Sequence, residues 1–582
     1  MSNASQANEI AQKWLSDFSN AVTSGDVEAV AQTFLPQGWL RDVLTFTWDI
    51  RALEGREKIK SYLSNTLVPA QISNIKLDNT PHFLPTFSVF SPKDGPGIEA
   101  AFTFETPIAQ GRGYFRLLKD TDAKWKSWAT CLILDELKGH EEAGFESGIY
   151  EGHTAAWGDI LADRRAKIEK DPYVLIVGAG QTGLILAARF KQMGIPALVI
   201  DRNARVGDNW RKRYPTLALH TPKIHHSMLY QPYPSNWPLY TPRDKIADWL
   251  ETYALNQDLV VWTNSQIQGR PKYNEDTGKW EIVIDHDNTV RTIYPSHVVV
   301  ATGTLGAPLM PTLKDQDKFQ GFVFHGSEYQ GAKPFVGKKV VVVGAGNTSI
   351  DICQDLCTHK AASITMIQRS SSVVVSSPNV TKHIFEDWAP GVPVEVGDFK
   401  FGTVPFGLRK KVMQGLQAEM WKEEEELHAK LGEKGVSLWM GPEGEGQFIM
   451  VYGRGGGLDV GGADLIASGD IKVKQGVEPV AFKEKTLVFS DGSELEADVV
   501  IMATGYRKMR EVNTDLFGED VINRTSQVAG YDEEGELRGA YRPSGHPGLW
   551  FAVADFWTTR MYSKHLAIQL KAIELGLRKG PQ

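Results

Sequence analysis

The chain has 582 residues, more than one hydrophobic core can organise, and its 42% apolar and 23% charged content is that of an ordinary globular protein of about two to four domains. A formal charge of −8 with no basic run argues against a nucleic-acid partner, and no stretch of about 18 apolar residues predicts a membrane span. Cys131, Cys353 and Cys357 are too few for a disulfide framework, and the polar N-terminus lacks an apolar signal core, so a cytoplasmic setting is expected.

In chain order, Ile10, Trp14, Phe18 and Val22 recur every four residues as one helical stripe, and "TSGD" at 23–26 breaks it. Val27, Val30, Ala31 and Phe34 predict a second short helix, and Gly55, Ile59, Tyr62 and Leu63 a third. The segments "IEAAFTFET", "GRGYFRLLK" and "WKSWATCLIL" read as strands joined by polar turns. Helices followed by a curved antiparallel sheet describe an α+β cone over residues 1–135. On that architecture, and on "GWLRDVLTFTWD", the cone resembles the SnoaL-like, nuclear-transport-factor-like fold. The resemblance implies a small ligand or a catalytic Asp–His pair, for which Asp42, Asp49 and His82 are available. The competing expectation is that these are structural and that the cone packs on its neighbour or makes a homodimer contact. Residues 136–171 are charged, contain glycine and end in Asp-Pro, so they read as a linker with some helix.

"YVLIVGAGQTGLILAARFKQMGIPALVID" begins with an apolar strand, turns through Gly178, Gly180 and Gly183, continues as a helix and closes in a strand ending at Asp201. Strand, turn, helix and an acid about 20 residues on are together a strong dinucleotide signal. The glycines let a diphosphate approach the helix N-terminus, and Asp201 can accept from a ribose 2′-hydroxyl. A second unit, "KKVVVVGAGNTSIDICQDLCTHKAASITMIQRSS", repeats the pattern with Gly344, Gly346 and Asn347 in the turn and Ser349 where a third glycine is usual. Its second strand ends in Gln368, Arg369 and Ser370 instead of an acid. A guanidinium clasps a 2′-phosphate that a carboxylate would repel, so the second site is expected to take NADPH and the first FAD or NAD.

Two further strands run into Ala-Thr-Gly: "HVVVATG", with Thr302 and Gly303, and "DVVIMATGY", with Gly505. Near the C-terminus "HPGLWFAVADFW" precedes the helical "SKHLAIQLKAIELGL". This order resembles the flavoproteins with two dinucleotide-binding domains, which implies FAD in the first site. The fold class is then α/β, with two Rossmann-like domains preceded by the cone. The FAD domain is expected at 172–332 and 498–582, with the NADPH domain, 333–497, inserted in it and carrying a helical insertion at about 371–453. The charges of that insertion, Glu423 to Glu426 included, read as a solvated helix face.

Between the two turns, Phe319, Gly321, His325 and Tyr329 form the pattern Phe-x-Gly-xxx-His-xxx-Tyr. With "GDNWRKRYPTLALHTPK" and "DVGGADLIASGDIKV", it resembles the fingerprint of the flavin-dependent monooxygenases, whose branches oxygenate nitrogen or sulfur, insert oxygen beside ketones, or act on indole-3-pyruvate. Asp208 stands where that family usually has a second glycine. The resemblance implies NADPH- and dioxygen-dependent insertion of one oxygen atom into a small organic substrate through a flavin hydroperoxide, and it places Trp210 and His220 near the flavin. A lone His325 without ligands at metal spacing does not make a metal site. It is expected, with Phe319, Gly321 and Tyr329, to act as a hinge between domains, Gly321 allowing the bend. No catalytic base stands out. The alternatives are an NADPH oxidase releasing hydrogen peroxide, a ligand-binding protein with an inert flavin half, and a disulfide reductase, for which Cys353 and Cys357 are poorly placed on a helix behind the NADPH turn.

Overall fold

A computed structural model of the protein describes residues 3–90, 95–441 and 456–578. The amphipathic stripe forms α1 (Asn3–Ser24), which buries Trp14, Leu15, Phe18 and Val22. It is followed by α2 (Val27–Gln32), β1 (Phe34–Val43), β2 (Ile50–Glu54) and α3 (Arg56–Ala70). The chain then lays down β3 (Ser73–Leu77), β4 (Thr86–Val89), β5 (Pro96–Glu105), β6 (Ala109–Lys119) and β7 (Trp125–Leu137). The sheet order is β2-β1-β7-β6-β5-β3, with β4 on β5 and β1 parallel to β7. One sheet face meets the helices through Leu15, Phe18, Phe34, Phe102 and Phe115. The opposite face, with Tyr114, Cys131 and Ile133, shares a core with Phe399 and Trp557 of the rest of the chain.

Asp42, Asp49 and His82 do not form a pair. Asp42 is buried and accepts from the N–H of Thr45 (2.8 Å) and Phe46 (3.2 Å) and from the Tyr62 hydroxyl (2.6 Å), fastening the turn after β1. Asp49 instead binds Arg542 at 2.7 Å, and His82 is exposed. Short carboxylates satisfy backbone donors at turns, and a sequence shows the carboxylate without the donors.

After helix α4 (Trp157–Lys170), near-continuous apolar runs give strands buried on both faces. The first parallel sheet holds β8 (Val174–Val177), β9 (Ala197–Ile200), β10 (Val261–Trp262), β15 (His297–Val300) and β26 (Leu549–Phe551) in the order β10-β9-β8-β15-β26. Helices α5 (Gln181–Gln192), α6 (Asp208–Arg211) and α7 (Arg243–Asn256) belong to this unit, as does a small sheet of β11 (Ser265–Ile267), β12 (Lys272–Asn274), β13 (Lys279–His286) and β14 (Thr289–Ile293). The C-terminal helix Phe556–Glu574 packs against α5 and is buried along most of its length.

The second parallel sheet runs β16-β25-β17-β18-β21, from β16 (Phe322–His325), β17 (Lys339–Val343), β18 (Ser363–Gln368), β21 (Ile471–Gln475) and β25 (Val499–Met502). This corrects two boundaries. The expected first FAD segment takes in residues 322–325 and the second takes in 499–502, yet both strands belong to the second sheet, pairing Phe322 with Val499 and His325 with Met502. The glycine turn marks β17, which is the second strand of that sheet in chain order, so a border drawn from the turn falls one strand too late. Helix α8 (Asn347–Thr358) follows the turn, and the helices α9 (Ser377–Ile384), α10 (Val394–Gly402), α11 (Phe406–Gly415), α12 (Gln417–Glu423) and α13 (Glu425–Glu433) form the insertion. Its segment 442–455 lies outside the described residues. Glu424 is not on a solvated face: it is 1% exposed and accepts from Ser376 N and Asn379 Nδ2.

His226, His297 and His565 are buried, and burial pulls each imidazole down to about 3. The unfolded chain binds these protons below about pH 6.5 and the folded chain refuses them, so the contribution is complete above pH 6.5 and is lost as pH falls toward 3. The urea midpoint at pH 5 is expected below that at pH 7.5, each histidine costing on the order of 1 kcal/mol per pH unit; equal midpoints would contradict it.

Candidate dinucleotide sites and the crossover between them

Each glycine of the first turn has a separate steric reason. Gly178 has φ +110°, and a Cβ there would lie 2.7 Å from the Ala301 carbonyl oxygen. A Cβ on Gly183 would lie 1.9 Å from Gly178 O, so only glycine lets α5 abut the turn. Gly180 is the N-cap of α5 without any side-chain cap, leaving the helix N-terminus open to an anion. Asp201 accepts from Ala179 N (2.8 Å) and, through its other oxygen, from Asn203 N and Nδ2. The carboxylate therefore braces the turn as well as presenting its remaining lone pairs. Thr302 and Gly303 follow β15 at the same strand end, Gly303 with φ +92° and open space where a Cβ would project.

Trp210 on α6 is 9% exposed, and its Nε1 is buried without a partner. The side chain of its neighbour Asn209 lies 3.4 Å from where a Cβ on Gly180 would sit, which ties this segment to the turn. His220 Nδ1 is likewise buried and unpartnered, while its Nε2 lies 3.5 Å from Asp351 Oδ1 on α8. Tyr214 donates to the other Asp351 oxygen at 2.5 Å, and burial with that carboxylate keeps the phenol protonated. Asp351 thus joins the two units. Sequence reasoning passes over Tyr214 and Asp351, although Tyr214 stands inside the segment that carries the family likeness.

In the second turn, Gly344 has φ +129° and a Cβ there would be 2.4 Å from Ala503 O. Gly346 caps α8 with open space beyond it, Asn347 begins the helix, and Ser349 fills the third glycine position, its hydroxyl buried and unpartnered. Arg369 lies at the end of β18 and is 75% exposed, with Glu478 at 3.5 Å. An exposed pair of this kind is weak and can give way to a phosphate. Ser370 is exposed beside it. Cys353 is buried and Cys357 half-buried, and burial pushes the Cys357 thiol up to about 11, the reverse of what a redox dithiol needs.

The hinge residues divide. Phe319 packs on Phe482 at 4.9 Å inside the second unit. Gly321 supplies close approach: a Cβ would meet Asp498 O at 2.4 Å, where β16 meets β25. Tyr329 is 1% exposed and donates to Asp355 of α8 at 2.7 Å. His325 Nδ1 accepts from Ser327 N, so its Nε2 carries the proton and donates to Gly505 O at 3.0 Å. That carbonyl also receives Leu309 N, and Arg507 N donates to Ala307 O. The two crossovers between the units therefore run side by side as a ribbon at 304–310 and 503–509, with His325 pinning it.

The flavin-binding monooxygenase-like family model, FMO-like, matches residues 172–386. Indole-3-pyruvate monooxygenase YUCCA1 of Oryza sativa subsp. japonica is 32% identical over 340 residues, which are 58% of this chain and 77% of that protein. The chain belongs to the flavin monooxygenase family. The probable indole-3-pyruvate monooxygenase YUCCA4 of Arabidopsis thaliana is 30% identical over 341 residues, 58% of this chain and 76% of that protein. Cyclohexanone monooxygenase in its open crystal structure aligns at 18% identity and TM-score 0.49, over 70% of this chain and 88% of that one. For a flavin monooxygenase the residues fit the cofactor: a glycine cradle, an uncapped helix N-terminus, and buried unpartnered polar atoms at Trp210 Nε1 and His220 Nδ1.

Proposed function

We propose that the protein is an NADPH- and dioxygen-dependent flavin monooxygenase that inserts one oxygen atom into a small organic substrate. The observation that carries this is the pair of open helix N-termini with opposite charges at their ribose ends, Asp201 at the first and Arg369 at the second. FAD, when bound, takes electrons from NADPH and activates dioxygen.

The chain's own residues bind, orient and keep water out. Gly178, Gly180 and Gly183 admit the flavin diphosphate to α5, with Trp210 Nε1 left as a donor and His220 Nδ1, whose Nε2 turns to Asp351, left as an acceptor for its polar atoms. Gly344, Gly346 and Asn347 do the same for NADPH, with Arg369 and Ser370 at the 2′-phosphate. On the substrate side, His225, Phe385, Trp388, Phe401 and Trp557 form an aromatic wall, His225 lying 4.5 Å from Phe385 and 5.1 Å from Trp388. Burial holds the His225 imidazole down to about 4, so it is neutral at pH 7. Such a wall suppresses the water access that would divert oxygen to peroxide. The ribbon of crossovers lets the second unit tilt while Asp351 and His325 limit its travel.

Free Cys131, Cys353 and Cys357 support a reducing, cytoplasmic compartment. A homodimer through the cone would use its helical side, because the outer sheet face is covered by the same chain.

Purified protein is expected to be yellow, to consume NADPH faster with substrate, and to carry one labelled atom from dioxygen into product. A colourless protein that takes up no FAD would overturn the reading, and peroxide as the sole oxygen product would favour an oxidase. Arg369→Ala is expected to raise KM for NADPH about tenfold and to leave NADH almost unchanged. Equal effects on the two would remove Arg369 from the phosphate site.

A further inference from the structure

Helix α10 is only partly finished from within, by the Thr403 hydroxyl on Lys400 O at 2.8 Å and by Val404 N on Phe401 O at 3.3 Å. The last carbonyls of a helix have no partner within it, and its C-terminus favours cations. Here guanidinium groups, two of them from the cone, add to that capping. Arg116 Nη2 donates to Lys400 O at 3.1 Å and its Nη1 to Thr403 Oγ1 at 3.0 Å, while Arg41 Nη1 donates to Gly402 O. Arg409, within the insertion, donates to Phe401 O. Phe399 packs between Phe83 (5.4 Å) and Tyr114 (6.0 Å), with the Arg112 guanidinium 4.1 Å from its ring centre.

The opposite side of α10 faces the C-terminal helix. Asp398 holds Arg560 of the C-terminal helix through two bonds of 2.6 and 2.7 Å and accepts from Trp388 Nε1 at 2.9 Å. Arg560 also donates to the His225 and Ser227 carbonyls, both at 2.7 Å. His225 Nε2 lies 3.7 Å from Asp555, the N-cap of the C-terminal helix. One turn on, the Thr559 hydroxyl is 3.3 Å from Thr182 in the first glycine turn. Contact is unbroken from the cone to the flavin cradle.

We infer that the N-terminal cone is a positioning element of the oxygenation site: Arg41, Arg112 and Arg116 hold α10 on the Asp398–Arg560 pair and so keep the aromatic wall closed. The inference rests on the monooxygenase reading above. It gives the cone a task without a ligand or a reaction of its own. It also explains why the sheet face turned toward α10 carries three arginines, when packing alone would call for apolar residues.

The test compares the full-length holoenzyme with Arg112→Leu, Arg116→Met, Arg116→Lys and Lys60→Ala on the far helix α3. Amides of 394–402 are expected to exchange about tenfold faster in Arg116→Met, and peroxide per NADPH to rise about threefold. Flavin content and anaerobic flavin reduction by NADPH should stay within about twofold, Arg116→Lys should recover roughly half of the coupling, and Lys60→Ala should match the wild type. Unchanged exchange in α10, loosened α10 with unchanged coupling, or flavin lost together with α10 would each overturn the inference. If Arg116→Met does not fold, Arg112→Leu, which removes the guanidinium over the Phe399 ring, decides by the same readouts. A wild-type enzyme that yields only peroxide would refute the monooxygenase reading, and the exchange data would still judge whether the cone holds α10.

Discussion

Gly183→Val is expected to emerge from purification without bound flavin. The substituted Cβ would lie 1.9 Å from Gly178 O and 3.0 Å from Gly178 C, both backbone atoms of the turn itself. No rotamer relieves such a contact, so α5 must pull away from the turn and the anion cradle opens. The loss in flavin affinity should be at least about a hundredfold, roughly 3 kcal/mol. Gly158→Ala on α4 is the control, because its Cβ meets nothing within 4 Å and it stands outside the turn. Flavin absorbance per protein and titration of apoprotein with FAD measure both. Stoichiometric flavin in Gly183→Val would show that the diphosphate does not sit on this turn.

Arg41→Met should be the most destabilising single change in the cone. Arg41 is 1% exposed and Glu536 0%, joined by two bonds of 2.6 Å, with Tyr562 accepting a third at 2.6 Å. Removing one partner of a buried pair strands the other charge, at a cost of about 3–5 kcal/mol. Replacing both, as Arg41→Met with Glu536→Leu, should return more than half of that loss, since no charge is then left in the interior. Urea unfolding followed by tryptophan fluorescence reads both. A loss below about 1 kcal/mol for the single variant would mean that the pair is hydrated in solution.

What the sequence makes legible is local. The glycine turns and the apolar strands before them follow a pattern written within about thirty residues, even though Gly178 and Gly344 owe their close approach to Ala301 and Ala503 far along the chain. The charge difference between Asp201 and Arg369 can be read at once, because each closes its own strand. What escapes is set by partners far along the chain. The edge strand Phe322–His325 declares its sheet only through Val499–Met502. Asp398 and Arg560 are 162 residues apart and Arg41 and Glu536 are 495 apart, so nothing near either pair hints at burial. Glu424 illustrates the same blindness: within a run of glutamates it looks solvated, and only Ser376 and Asn379, folded back from another helix, make it a buried acceptor. Gly321 looks like a bend in the sequence, but its reason is the Asp498 carbonyl that passes beside it.

The distance in sequence between Arg41 and Glu536 also sets a timetable for synthesis. At about 5–20 residues per second, the ribosome needs roughly 25–100 s after making Arg41 before its carboxylate partner exists. Helix α10 reaches the outer sheet surface earlier, but the part that meets Glu536 and Tyr562 stays uncovered until translation is almost finished. The arginines placed there keep that surface from adhering to other unfinished chains during the wait.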